Sequence, residues 1–237
     1  MVGAILVTAA AGIIGTGLGG AAACGFRRDS EREASLFLSF AAGVMVSVVC
    51  FGLLTEAAAP GTMLPVAVGV LAGCAVTGIL NALLSLGRPK GGLILAGLVM
   101  AAAIALHNVP EGMVIGASFA GEGMARQGWT MAAVIGLHNV PEGMAVAAPL
   151  VAGGTRRWKA AGLAALTGAP TVLGAMLGYG LGTLGPTALT ATLSFAAGAM
   201  LYVVFGELLP EAAGLWRSKL PALAAVAGVL VGMAIGG

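Results

Sequence analysis

Charge is what this chain lacks most. Only 8% of its 237 residues are Asp, Glu, Lys or Arg, against 59% hydrophobic residues and a mean hydropathy of +1.04. A soluble domain of this size would carry about 25% charged residues, so the deficit excludes an ordinary water-soluble fold. Aromatic residues are also few, at 5%. Histidine occurs only twice. Three cysteines, Cys24, Cys50 and Cys74, form no CxxC and lie in or beside apolar stretches, which excludes a disulfide scaffold or a thiolate zinc ribbon. They read as small apolar residues. No basic residue precedes Arg27, so the N-terminal apolar stretch lacks the charged start of a cleaved signal peptide and is expected to stay as a span. The net charge of +2 is too small to name a partner, and nothing calls for nucleic acid.

Glycine is abundant instead, with 40 residues. Small residues let helix backbones approach inside a bilayer, where apolar burial no longer drives association. A span needs roughly 20 mostly apolar residues. Eight such runs are present, at about 2–24, 35–58, 64–86, 92–119, 129–151, 159–183, 188–214 and 219–236. The runs are continuous rather than alternating, which favours helices over a barrel. The expectation is an all-α polytopic protein forming one transmembrane unit over residues 1–237.

The connections orient it. Arg27, Arg28 and Arg32 lie between spans 1 and 2; Arg88 and Lys90 between 3 and 4; Arg156, Arg157 and Lys159 between 5 and 6; Arg217 and Lys219 between 7 and 8. Arg126 alone falls on the other side, so the basic side is cytoplasmic and both termini lie outside. The compact Ala- and Gly-rich composition suggests a bacterial inner membrane. Trp129, Trp158 and Trp216 fall at span ends, as an aromatic belt requires.

Two repeats run through this pattern. Leu106–Met113 reads LHNVPEGM, and the same octapeptide returns 31 residues later at Leu137–Met144. Ser39–Met45 (SFAAGVM) matches Ser194–Met200 (SFAAGAM), and that register sets Glu56 on Glu211 and Gly52 on Glu207. Spans 4 and 5, and spans 2 and 7, run in opposite directions. The pattern predicts an inverted repeat, spans 1–3 against 6–8, around central spans 4 and 5, an arrangement that places sites near the midplane.

Both histidines, His107 and His138, lie inside the octapeptide. Glu111 follows His107 by one turn and shares a face with Asn108; Glu142 follows His138 and shares a face with Asn139. Five of the nine acidic residues, Glu56, Glu111, Glu142, Glu207 and Glu211, fall inside spans. Each buried charge there costs roughly 2.5–3.5 kcal/mol on the lenient scales, so a shared role is expected. Imidazole nitrogen beside carboxylate oxygen suits zinc and also iron(II), manganese, cobalt or nickel, whereas calcium would prefer oxygen alone. Pro110 and Pro141 each remove an N–H, predicting a kink and a freed carbonyl near Leu106 and Leu137. Glu56, Glu207 and Glu211 are candidates for the ion's path, for proton relay or for gating.

The chain resembles the ZIP (Zrt-, Irt-like protein) metal transporters, especially their compact prokaryotic branch, through its eight spans and paired HNVPEG motifs. The resemblance implies a binuclear centre, one metal on His107, Glu111, His138 and Glu142 and a second on Asn108, Glu111, Asn139 and Glu142. It implies uptake of zinc, and also of iron, manganese, cobalt or cadmium, into the cytoplasm, by an elevator-like movement of one helix bundle against another. Two departures stand out. Thr167–Thr171 in span 6 (TGAPT) has no carboxylate, and the link between spans 3 and 4 is short and has no histidine. A homodimer is compatible with the resemblance, and no cofactor beyond the transported ion is expected. The rival readings are an intramembrane metallohydrolase, disfavoured because no HExxH occurs, a haem carrier using His107 and His138, and a membrane protein that binds metal without moving it.

Overall fold

The structure, a computed structural model, describes residues 2–25, 31–59, 61, 63–86, 93–120 and 125–236. Arg27, Arg28, Arg88 and Lys90, on which part of the orientation rests, lie outside the described residues, as does the link between spans 3 and 4.

Long apolar runs with few Gly-Pro breaks become helices because every backbone group must find its partner within the segment. Among the described residues there are eight helical columns and no strand. They are α1 (Val2–Gly25), α2 (Glu31–Ser47, continuing through Val48–Leu53 into Leu54–Ala58), α3 (Met63–Leu86) and α4 (Leu93–Ser118). Then follow α5 (Ala125–Ala152), α6 (Arg157–Thr167 and Pro170–Gly182), α7 (Pro186–Val203, then Val204–Leu208, then Leu209–Leu215) and α8 (Leu220–Gly236). Among the described residues, six of the columns are long and apolar enough to cross a bilayer, and α8 is a shorter apolar helix. The 26 residues of α4 rise about 39 Å at 1.5 Å each, more than a hydrocarbon core requires. The protein is an all-α polytopic membrane protein.

Two kinds of feature depart from eight uniform spans. Span 6 is broken at Gly168–Ala169: the first half stops at Thr167 and Pro170 starts the second. Pro170 brings no N–H, and Thr171 donates its hydroxyl to the Gly168 carbonyl at 2.7 Å, which stabilises the break. Spans 1, 2 and 7 each contain a π-helical turn, at Ala10–Ile14, Val48–Leu53 and Val204–Leu208. Such turns insert one residue into the ladder and concentrate at functional sites. By contrast, α4 and α5 stay helical through Pro110 and Pro141, and α5 also through Pro149.

The columns pack as two groups. In one, α1 lies on α5, α4 on α6, and α4 on α5; in the other, α2 lies on α8 and α3 on α7. The groups meet where α7 crosses α4 and α2 crosses α5. Exchanging α1 with α6, α2 with α7, α3 with α8 and α4 with α5 maps the α4–α5 pairing onto itself and each of the others onto another, as an inverted repeat demands. Glycine contacts obey the same register. Gly43 abuts the Ala225 carbonyl and Gly198 the Val70 carbonyl; Gly73 abuts the Phe195 carbonyl and Gly228 the Phe40 carbonyl. These close approaches supply the van der Waals contact that holds helices in lipid. A core of Met45, Val49, Leu53, Val114, Ile135, Met200 and Val203 fills the seam between the groups. The outer faces of α3 and α8 stay apolar and open (Leu64 is 76% exposed), as lipid allows.

Candidate metal centre

The two octapeptides meet. His107 and Glu111 sit on α4, His138 and Glu142 on α5, each pair one helical turn apart. The helices exchange partners rather than pairing within themselves. His107 Nε2 lies 3.1 Å from Glu142 Oε1, and His138 Nε2 lies 2.8 Å from Glu111 Oε1. The reciprocal spacing, later residue against earlier, requires antiparallel neighbours. Both carboxylates are fully buried, and the imidazoles nearly so. His107, Glu111 and Glu142 each offer one ligand atom within 4.8 Å of the others, and His138 joins them through Glu111.

The asparagines are tied in as well. Asn108 donates from Nδ2 to the Thr167 carbonyl at 2.7 Å, reaching the last residue before the break in α6. Asn139, with its amide nitrogen turned toward the acceptors, donates to Glu111 Oε2 at 3.1 Å and to the Ile135 carbonyl at 3.3 Å. Three polar atoms here are buried without a partner: Nδ1 of His107, Nδ1 of His138 and Oδ1 of Asn108. An unmet buried polar atom costs about 1–3 kcal/mol, and a bilayer interior has no water to relieve it. Two carboxylates, two imidazoles and an amide oxygen in one dry place form a donor set for a borderline cation.

The remaining candidates divide. Glu207 lies on the π turn of α7 and lines, with His107, Pro110 and Met113 of α4 and Asn81 of α3, a cavity of about 280 Å³. Glu56, at the end of α2, is not brought to the centre. It accepts a hydrogen bond from Gln127 Nε2 near the start of α5, eleven residues and so about 16 Å along the helix from His138. Glu211 is half-buried, four residues beyond Glu207, and does not line that cavity. Sequence reasoning missed Gln127, Asn81 and the Thr167 carbonyl. The last has only the TGAPT stretch as its signal in the sequence, where Gly168 and Pro170 mark a place for the helix to break.

The sequence model of the ZIP Zinc transporter family matches residues 87–236, which include both octapeptides. The chain belongs to the ZIP family. Zinc transporter ZIPB of Bordetella bronchiseptica is 33% identical over 226 residues, covering 89% of this chain and 73% of that one. Zinc transporter ZupT of Chlorobium luteolum is 34% identical, with 98% and 94% covered. Zinc transporter GufA of Myxococcus xanthus reaches 42% identity over 114 residues, under half of either chain (48% and 44%). Membership in the ZIP family makes this chain a membrane transporter rather than an enzyme, which sets aside the metallohydrolase.

Proposed function

We propose that this ZIP protein carries divalent transition-metal ions, zinc foremost, into the cytoplasm through the centre built by the two HNVPEG motifs. The observation that carries the reading is the crossed pairing of His107 with Glu142 and His138 with Glu111, with both imidazole Nδ1 atoms and Asn108 Oδ1 unmet. A protein that needed these groups only for interhelical contact would satisfy them all. A passing cation offsets the repulsion of two buried carboxylates, and the imidazoles bias it toward zinc. The relatives ZIPB, ZupT and GufA are each named as zinc transporters, in keeping with that choice.

His107, Glu111, His138 and Glu142 hold the ion in this reading, and Asn108 and Asn139 with the same glutamates offer a second position. Glu207 stands beside His107 on the way in or out, while Glu56 and Glu211 stand at matched ends of α2 and α7. Both termini lie outside, with the basic connections in the cytoplasm of a bacterial cell, and the chain acts as one transporter unit. Transport needs the bilayer, and a homodimer is compatible with this role.

The test is zinc and cadmium uptake into proteoliposomes, comparing the unaltered chain with Glu111→Ala and Glu142→Ala. Saturable uptake lost in both variants is the expected outcome. Uptake that survives both would overturn the assignment of the path, and no uptake by folded, unaltered protein would overturn transport itself.

A further inference from the structure

At the basic end of the molecule, where α7 turns into α8, a second hollow of about 680 Å³ opens beside α2. Its wall carries Arg217 and Ser218 of the turn, Trp216, and apolar Leu209 and Ala222; among the described residues none that lines it is acidic. Ser39 of α2 lines it too. Ser39 is only 1% exposed, yet its hydroxyl has no hydrogen-bond partner. The repeat makes that omission informative. The matching serine, Ser194, donates to the Thr190 carbonyl one turn back at 2.7 Å. Ser39 makes no such bond, while Ser35, one turn before it, donates to Ala212 of α7 at 2.6 Å.

Three further features give the hollow its polarity. The 17-residue helix α8 begins at its rim with the positive end of its dipole toward the hollow; Pro221 carries no N–H, so Ala222 supplies the first N–H beyond the capped Leu220. Ser218 accepts from the Leu220 N–H at 3.3 Å and so caps that end. Arg32 places its guanidinium 5.5 Å from the centre of the Trp216 ring, adding a second cation at the same edge. Below the rim, α8 continues as an open apolar face through Leu223 and Val226.

We infer that this hollow is a binding site for a phosphate group at the membrane surface, with Arg217, the start of α8 and the Ser39 hydroxyl as its donors. An anionic phospholipid suits it best, its phosphate on Arg217 and its acyl chains along the apolar face of α8. Phosphate chemistry is the shared element. A lipid headgroup and a free phosphate are separated by experiment.

Purified full-length protein is equilibrated with equal amounts of phosphatidylglycerol and phosphatidylcholine of the same chain length, and retained lipid is weighed by native mass spectrometry. In parallel, its melting temperature is read in inorganic phosphate and in chloride at matched ionic strength. Preferential retention of phosphatidylglycerol, reduced roughly tenfold by Arg217→Gln and clearly lowered by Ser39→Ala, is the expected result, one such contact corresponding to ~1.4 kcal/mol. Arg126→Gln and Arg156→Gln should leave the preference in place. A melting shift in phosphate without lipid preference, lost in the same two variants, assigns the site to a soluble phosphate instead. A preference that survives both Ser39→Ala and Arg217→Gln is diffuse surface charge and overturns the site, as does the absence of both effects. Zinc uptake by the variants in phosphatidylcholine vesicles checks that they fold.

Discussion

The Thr16 carbonyl oxygen of α1 occupies the place where a β-carbon on residue 143 of α5 would stand, and Gly143 leaves it room. The repeat-related contact is the same: Gly112 of α4 against the Thr171 carbonyl of α6. Each glycine directly follows a glutamate of the centre. The helices that carry Glu111 and Glu142 are therefore pinned by backbone-to-backbone contact one residue from their ligands, and the precision of the centre depends on that closeness. Gly143→Ala or Gly112→Ala should lower stability by about 1–3 kcal/mol through overpacking. The centre should also loosen enough to weaken zinc binding. Gly180→Ala, where nothing lies within 4 Å of the added carbon, should leave stability unchanged or slightly raised. Thermal unfolding in detergent, with and without zinc, distinguishes these; equal effects at 143 and 180 would refute the pinning.

Asn139 and Glu111 supply the next prediction. The amide holds Glu111 Oε2 while His138 faces Oε1, so both oxygens of that carboxylate are directed. Groups that orient a ligand typically contribute 10- to 100-fold in affinity. Asn139→Ala should therefore weaken zinc binding by about 10-fold or more, and Asn139→Asp should shift metal preference toward harder cations such as manganese. Titration with competing chelators reads both. Unchanged affinity in Asn139→Ala would mean that Glu111 is held by His138 alone.

The donor set also orders the metals. Imidazole and carboxylate together favour zinc, cadmium and cobalt, while calcium and magnesium seek all-oxygen sites with water. Cadmium should compete with zinc for uptake at comparable concentrations. Calcium at roughly hundredfold excess should leave zinc uptake intact. Strong inhibition by calcium would indicate that the imidazoles stand outside the path.

The centre was legible in the sequence because a bilayer makes polar residues conspicuous: His107 and His138 are the chain's two histidines, and both fall in one repeated octapeptide. The helical columns were legible for the same reason, through apolar length. Their grouping was not. Which helix meets which depends on contacts such as Gly73 with the Phe195 carbonyl, between residues far apart in the chain and carrying no local mark. The π turns at Val48–Leu53 and Val204–Leu208 were equally silent, since one extra residue in a helical ladder leaves hydropathy unchanged. The break in α6 had a local signal, Gly168 and Pro170, but its use, presenting the Thr167 carbonyl to Asn108, exists only once α6 lies on α4.

The last prediction concerns Glu56. Its hydrogen bond from Gln127 joins α2 of one helix group to α5 of the other, at a distance from the metal ligands. If transport requires the groups to move against one another, this tie must break in each cycle. One hydrogen bond to a charged group contributes about 1.5 kcal/mol, enough to change a rate by up to roughly tenfold. Gln127→Met should thus raise the maximal rate of zinc uptake while leaving the half-saturating concentration unchanged, because the ligands on α4 and α5 are untouched. Glu56→Gln retains a hydrogen-bonding partner but removes the charge. It should resemble the unaltered chain in rate if Glu56 acts only as a tie, and raise the half-saturating concentration if Glu56 also receives the ion. Initial-rate kinetics in proteoliposomes separate the two roles, and a Gln127→Met variant with unchanged maximal rate would show that the tie does not limit the cycle.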